Sequence, residues 1–114
     1  DAAAMMLSVR PHATFHVLNT REDDTVSGFH LLEELPIRAN GGYLIMRQSF
    51  FYHLGGGRDL NTAFAELLPS RRLIAYRHDG FWLPADTFKE RAFLDSMYRS
   101  GNVPWGRRGM VTVP

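Results

Sequence analysis

The sequence predicts an α/β fold: a mixed sheet with flanking helices. Three observations carry this. Short apolar runs bounded by turn residues crowd the first half of the chain. Apolar residues at helical spacing, with capping residues ahead of them, fill most of the second half. No interior stretch has the composition of a linker, and there is no internal repeat.

The elements follow in order. Residues 2–9 are small and apolar and suit a buried strand, which Pro11 stops. Phe15-His16-Val17-Leu18 is a second strand, and the polar run 19–24 is its hairpin loop. The chain returns over residues 26–32. Asn40-Gly41-Gly42 signals a turn, because glycine permits the positive φ a tight turn demands. Tyr43-Leu44-Ile45-Met46 follows as a short strand.

Phe50, Phe51 and Leu54 have helical offsets, and Gly55-Gly56-Gly57 stops that helix. Asp59 or Asn61 caps the next helix, whose apolar face is Leu60, Phe64, Leu67 and Leu68, and Pro69 ends it. Residues 73–77 form a strand, and His78-Asp79-Gly80 turns the chain. Asp86 or Thr87 caps a last helix over residues 87–99. Its stripe of Phe88, Ala92, Phe93 and Met97 predicts a helix packed on the sheet with Phe93 buried. Residues 1–105 read as one unit and 106–114 as a tail of low apolar content, expected to be mobile.

Composition excludes several functions. The 114 residues suit one compact domain with a modest core. A net charge of +1 gives no electrostatic grip on nucleic acid or anionic lipid, so neither is an expected partner. The Arg71-Arg72 and Arg107-Arg108 doublets read as solvated surface. With no cysteine there is no disulfide, thiolate metal site or cysteine nucleophile, and a cytoplasmic location is expected. No apolar run reaches the roughly 18 to 20 residues of a membrane span. Residues 2–9 have the look of a signal-peptide core but lack a basic segment before them. The chain starts at an aspartate, which suggests a cut within a longer polypeptide.

Little in the chain fits the common catalytic motifs. None of the five histidines forms a zinc-binding pair on a predicted helix, and there is no G-x-S-x-G elbow. Gly55-Gly56-Gly57-Arg58 lacks the lysine and hydroxyl that a phosphate-cradling loop needs. Two places are more specific. At Asn40-Gly41-Gly42-Tyr43 the glycines suit either a turn or the close approach of backbone to a ligand. At Asp86 a carboxylate opens a helix, where it serves either as cap or as a ligand for a divalent cation.

Residues 76–105 read YRHDGFWLPADTFKERAFLDSMYRSGNVPW. This run resembles the carboxyl-terminal signature of glucose-1-phosphate cytidylyltransferases: Y-x-H-x-G-F-W-x-P-M-D-T, a charged helix, then S-G-x-x-P-W. The spacing matches without a gap. Val9-Arg10-Pro11 resembles the V-x-P element of that family, and Asn40-Gly41-Gly42-Tyr43 its N-G-G-F strand entry. The likeness covers residues 5–105 and is most specific in the last thirty.

The resemblance implies the carboxyl-terminal part of a Rossmann-like nucleotidyltransferase fold. It implies a parent enzyme that joins a sugar 1-phosphate to a nucleoside triphosphate, CTP in the type case, with Mg2+ as cofactor. Asp86 falls at the position of the family's carboxyl-terminal metal aspartate. Asn40, Gly41, Gly42 and Tyr43 fall at the wall of the sugar pocket, and Glu34 falls near the glutamate of an E-K-P motif. No residue of this chain is matched to a catalytic group, and a homo-oligomer is left open.

The departures are equally specific. The family's G-G-x-G-T-R loop and second metal aspartate have no counterpart in these residues, so the fragment alone is expected to be inactive. Glu34-Leu35-Pro36 places leucine where the family has lysine. That loss of a cation favours a second reading, a catalytically degenerate relative kept for binding or assembly.

Overall fold

The computed structural model describes residues 1–13 and 15–106. They form two compact units, residues 1–79 and the part that begins at Gly80. The expected tail from residue 107 onward lies outside the described residues.

The first unit is built on a three-stranded mixed sheet. β1 spans Ala4–Val9, β4 Ala39–Met46 and β5 Leu73–Arg77. β1 is central, antiparallel to β4 and parallel to β5. Strand alternation sorts the side chains. Ala4, Met6, Leu44, Met46 and Leu73 belong to the core, together with Phe50, Ala63, Phe64 and Leu67 from the layer that covers this face. Phe50 and Leu67 are at most 1% exposed, and the Phe50 and Phe64 rings stack with centroids 5.5 Å apart.

That covering layer has two parts. α1 spans Leu60–Leu67, and its cap is Asp59, whose carboxylate accepts from the Thr62 amide at 2.7 Å. This bond holds the Asp59 carboxyl below its usual range. Gln48–Gly57 is wound as 3-10 turns, where the spacing of Phe50, Phe51 and Leu54 predicts an α-helix. The segment buries Phe50 fully, packs Leu54 against the core, and leaves helical geometry at Gly55 and Gly56. Three consecutive glycines make α-helical propagation costly, and short 3-10 turns suffice to deliver Phe50 and Leu54.

β2 (His16–Thr20) and β3 (Val26–Leu31) form a separate antiparallel hairpin. Asp23 closes its turn, accepting from both the amide and the hydroxyl of Thr25. A 3-10 turn over Leu32–Glu34 follows, so the third strand stops one residue short of the expected Leu32.

The larger correction concerns β4. Asn40-Gly41-Gly42, read as a turn before a strand, lies inside the strand. Met6 pairs with Leu44 but Ser8 pairs with Asn40, so Leu7 alone faces three residues of β4. The glycines make a bulge: Gly42 has φ +85, and the Asn40 side chain accepts from the Gly42 amide at 2.9 Å. A turn signal and a bulge signal are the same local chemistry, positive φ plus an Asn side chain closing on the backbone. Only a partner strand distinguishes them.

The second unit carries α2, Phe88–Arg99. Thr87 is its cap, paired reciprocally with Glu90 in a capping box. The expected burial of Phe93 is not found: it is 54% exposed, Phe88 is 90% exposed, and no residue of α2 is buried. A stripe at helical spacing reports that a face is apolar; it does not supply the surface that covers it. Phe81 and Trp105 meet at 5.6 Å between centroids. Among the described residues, no helix is long and apolar enough to cross a membrane.

Candidate functional site

The carboxyl ends of β1 and β5 lie side by side because the two strands are parallel neighbours. In open α/β sheets that end of the parallel strands is where ligands bind. Here it opens onto a cavity of about 360 Å³ lined by residues 10, 11, 33–38 and 77. Arg10 and Pro11 follow β1, Arg77 ends β5, and residues 33–38 come from the segment that leads into β4.

Arg38 organises this end of the sheet. Its Nε donates to Ser8 Oγ at 2.6 Å, and one terminal nitrogen donates to the carbonyls of Ser8 at 2.7 Å and His78 at 2.9 Å. The other terminal nitrogen meets Asp79 Oδ1 at 2.9 Å. One guanidinium thus ties β1 and β5 to the entry of β4, and it satisfies the buried hydroxyl of Ser8. Arg77 Nε donates to the other Asp79 oxygen at 3.1 Å, and Arg10 stands 3.9 Å from Asp79. The Arg38 hydrogen bond first, then Arg77, holds the Asp79 carboxyl below its usual range.

The residues singled out by sequence divide over this frame. Glu34 and Leu35 line the cavity. The Glu34 carboxylate accepts from the Leu31 amide at 3.1 Å, which fixes the 3-10 turn, and Glu33 lies 3.8 Å from His12 Nδ1. Asn40 and Gly42 form the bulge of β4. Gly41 is buried in close packing, where a Cβ would stand 2.8 Å from Leu7 Cδ2 and 3.0 Å from Val9 Cγ1. Tyr43 lines a different cavity, about 280 Å³, with Met5, Leu7, Ile45 and Tyr76, whose strand parity is opposite to that of the core residues Ala4, Met6 and Leu73.

Asp86 lies in the second unit. The cap of α2 is Thr87, so one of the two roles open to Asp86 is taken by its neighbour. The Glu90 carboxylate is engaged by the amides of Asp86 and Thr87, at 2.8 and 2.9 Å. Among the described residues there is no cluster of three or more potential metal ligands. A donor set of one carboxylate does not fit a cation held by protein alone. It does fit magnesium, which takes one or two carboxylates and completes its shell with water and substrate phosphate oxygens.

Arg38, Ser8 and Asp79 were not legible as a group. The available signal was weak: arginines at the ends of two predicted strands, Arg10 and Arg77. Nothing local says that those strands are neighbours.

No family model matches the chain. Partial likeness to sugar-nucleotide enzymes is found. The chain is 30% identical over 70 residues to glucose-1-phosphate cytidylyltransferase of Salmonella typhimurium, covering 58% of this chain and 26% of that protein. The Salmonella typhi protein of the same name gives the same figures. A probable glucose-1-phosphate cytidylyltransferase of Bacillus subtilis is 29% identical over 109 residues, 91% of this chain and 42% of that protein. The chain therefore spans between about a quarter and two fifths of the length of these relatives.

Proposed function

We propose that this chain is the sugar-side part of a sugar-1-phosphate nucleotidyltransferase, one that makes a CDP-glucose-type product from CTP and glucose 1-phosphate. The observation that carries the reading is likeness to the Bacillus subtilis relative along most of the chain. The ungapped motif of residues 76–105 supports it. In the reaction a phosphate oxygen of the sugar 1-phosphate attacks the α-phosphorus of the nucleoside triphosphate. The new P–O bond replaces the bond to the β-phosphate bridge, and pyrophosphate leaves. Positioning and charge stabilisation do most of the work in such a transfer.

This chain's residues supply the sugar side. Glu34 lines the cavity at the sheet end, and the Asn40–Gly42 bulge shapes the strand that leaves it. Tyr43 is assigned to the sugar wall by the likeness of Asn40-Gly41-Gly42-Tyr43 to the N-G-G-F element, although its exposed ring lines the other cavity, with Met5 and Ile45. Asp86 would hold Mg2+ jointly with substrate phosphates. The bound cation would offset negative charge on the phosphoryl oxygens. The nucleotide-binding loop belongs to the amino-terminal part of a full-length protein, and the 114 residues by themselves form no product. A cytoplasmic enzyme is the corresponding cellular reading.

The test uses the full-length protein. Asp86→Asn should leave thermal stability nearly unchanged, because Thr87 provides the cap. It should lower turnover at limiting magnesium at least about tenfold, roughly 1.4 kcal/mol of transition-state stabilisation. Unchanged turnover would remove Asp86 from the metal site. A second reading, a degenerate relative that binds without turning over, rests on Leu35 in place of a lysine. Saturable sugar-phosphate binding by a full-length protein that forms no CDP-sugar would select it.

A further inference from the structure

The cavity at the carboxyl ends of β1 and β5 carries two arginines beyond the one that ties the strands together. Three guanidiniums, those of Arg10, Arg38 and Arg77, converge on the single carboxylate of Asp79. Arg38 alone does the structural work. It is largely buried, and it bonds to Ser8, His78 and Asp79. Arg10 and Arg77 are different. Their side chains are 65% and 67% exposed, the Arg10 contact is long at 3.9 Å, and Arg77 reaches Asp79 through Nε. Each guanidinium carries five N–H donors in a planar fork suited to phosphate oxygens.

The cavity lining also includes two carboxylates, Glu33 and Glu34. Two cations with donors to offer and two anionic acceptors on one lining suit a ligand with an anionic group and several hydroxyls. We propose that Arg10 and Arg77 bind the phosphate of a sugar phosphate in this cavity, and that Asp79, itself fixed by Arg38, positions the two guanidiniums. Glu33 and Glu34 accept from the sugar hydroxyls. The proposal deepens the proposed function and rests on it for the choice of a sugar phosphate; it also supplies the cation that Leu35 does not.

The experiment is direct binding, which needs no turnover. Glucose 1-phosphate, inorganic phosphate and glucose are titrated into the 114-residue chain by calorimetry. Glucose 1-phosphate should bind saturably, inorganic phosphate more weakly and glucose not measurably. Arg10→Gln and Arg77→Gln should each raise the Kd about tenfold, the loss of one charge-assisted contact. Arg10→Lys, which keeps the charge but loses the fork, should fall between. Arg58→Gln, an equal charge change on a residue paired with Glu66, should have no effect.

Absence of saturable binding, or unchanged Kd in both glutamine variants, overturns the inference. Equal affinity for inorganic phosphate and glucose 1-phosphate overturns the part given to Glu33 and Glu34. The outcomes separate from those of the proposed function. Arginine-dependent binding by a protein whose full-length form makes no CDP-sugar keeps this inference and removes the enzyme. CDP-sugar synthesis indifferent to Arg10→Gln and Arg77→Gln keeps the enzyme and removes this inference.

Discussion

The two units are stabilised by different means. The unit of residues 1–79 has a sheet, a covering layer and side chains fully withdrawn from water, Phe50, Leu67 and Val9 among them. The other unit has no buried residue in its helix; the helix is held by the local Thr87–Glu90 capping box and Arg99–Asp95 pair, and one longer-range ring contact joins Phe81 to Trp105. Yet the more specific sequence motif lies in the second. Burial explains residue choice in the first unit, because a core position rejects changes of volume. It does not explain Asp86 or Phe88, both exposed.

The comparison breaks if the two units respond alike to truncation of an aromatic ring. Phe50→Ala should cost about 3 to 5 kcal/mol, since the ring is fully buried and leaves a cavity. A shift of the denaturant midpoint of the first unit measures it. Gly41→Ala should come next, about 1 to 3 kcal/mol, because its Cβ would overlap Leu7 and press on Val9. If Gly41→Ala is neutral by the same measurement, the bulge is looser than its packing implies.

In the second unit the effects should be smaller and local. Thr87→Ala removes the cap of α2 and should cost about 1 kcal/mol, read as lost helicity by circular dichroism. Phe93→Ala should change stability by no more than about 0.5 kcal/mol, as for an exposed site, and a larger loss would show that the helix face is covered in solution.

The last expectation is a pH effect on the sheet end. Asp79 has a folded pKa below its unfolded value, so it favours folding above the unfolded value and loses that contribution as pH falls through the folded one. Stability should therefore decline as pH drops below about 4, and Asp79→Asn should flatten that decline. Equal acid sensitivity of the variant would assign the effect to other carboxylates.

How much was legible depended on whether the determining forces were local. The five strands, both helices, the Asp59 cap and the Thr87 alternative for α2 are readable because side-chain periodicity and capping involve neighbours in the chain. Glu34 was singled out by its motif and does line the cavity, but its motif carries no information about Arg38. Arg38 and Asp79 are 41 positions apart, and Ser8 and Arg38 are 30 apart. No periodicity links residues at such separations.

By itself, then, the sequence determined the approximate places of five strands and of α1 and α2, where glycine must permit an unusual backbone, and that Asp86 or Thr87 opens α2, but not that residues 40–42 are strand or that Gln48–Gly57 winds as 3-10 turns. Those properties follow from the covalent geometry and hydrogen-bonding reach of a few consecutive residues. The tertiary structure alone decided that Asn40-Gly41-Gly42 is a bulge, that β1 and β5 are parallel neighbours, and that three arginines share Asp79. It also decided that Phe50 is buried while Phe93 is exposed, although each sits in an apolar pattern. Burial requires a second surface, and which surface arrives depends on the path of the whole chain.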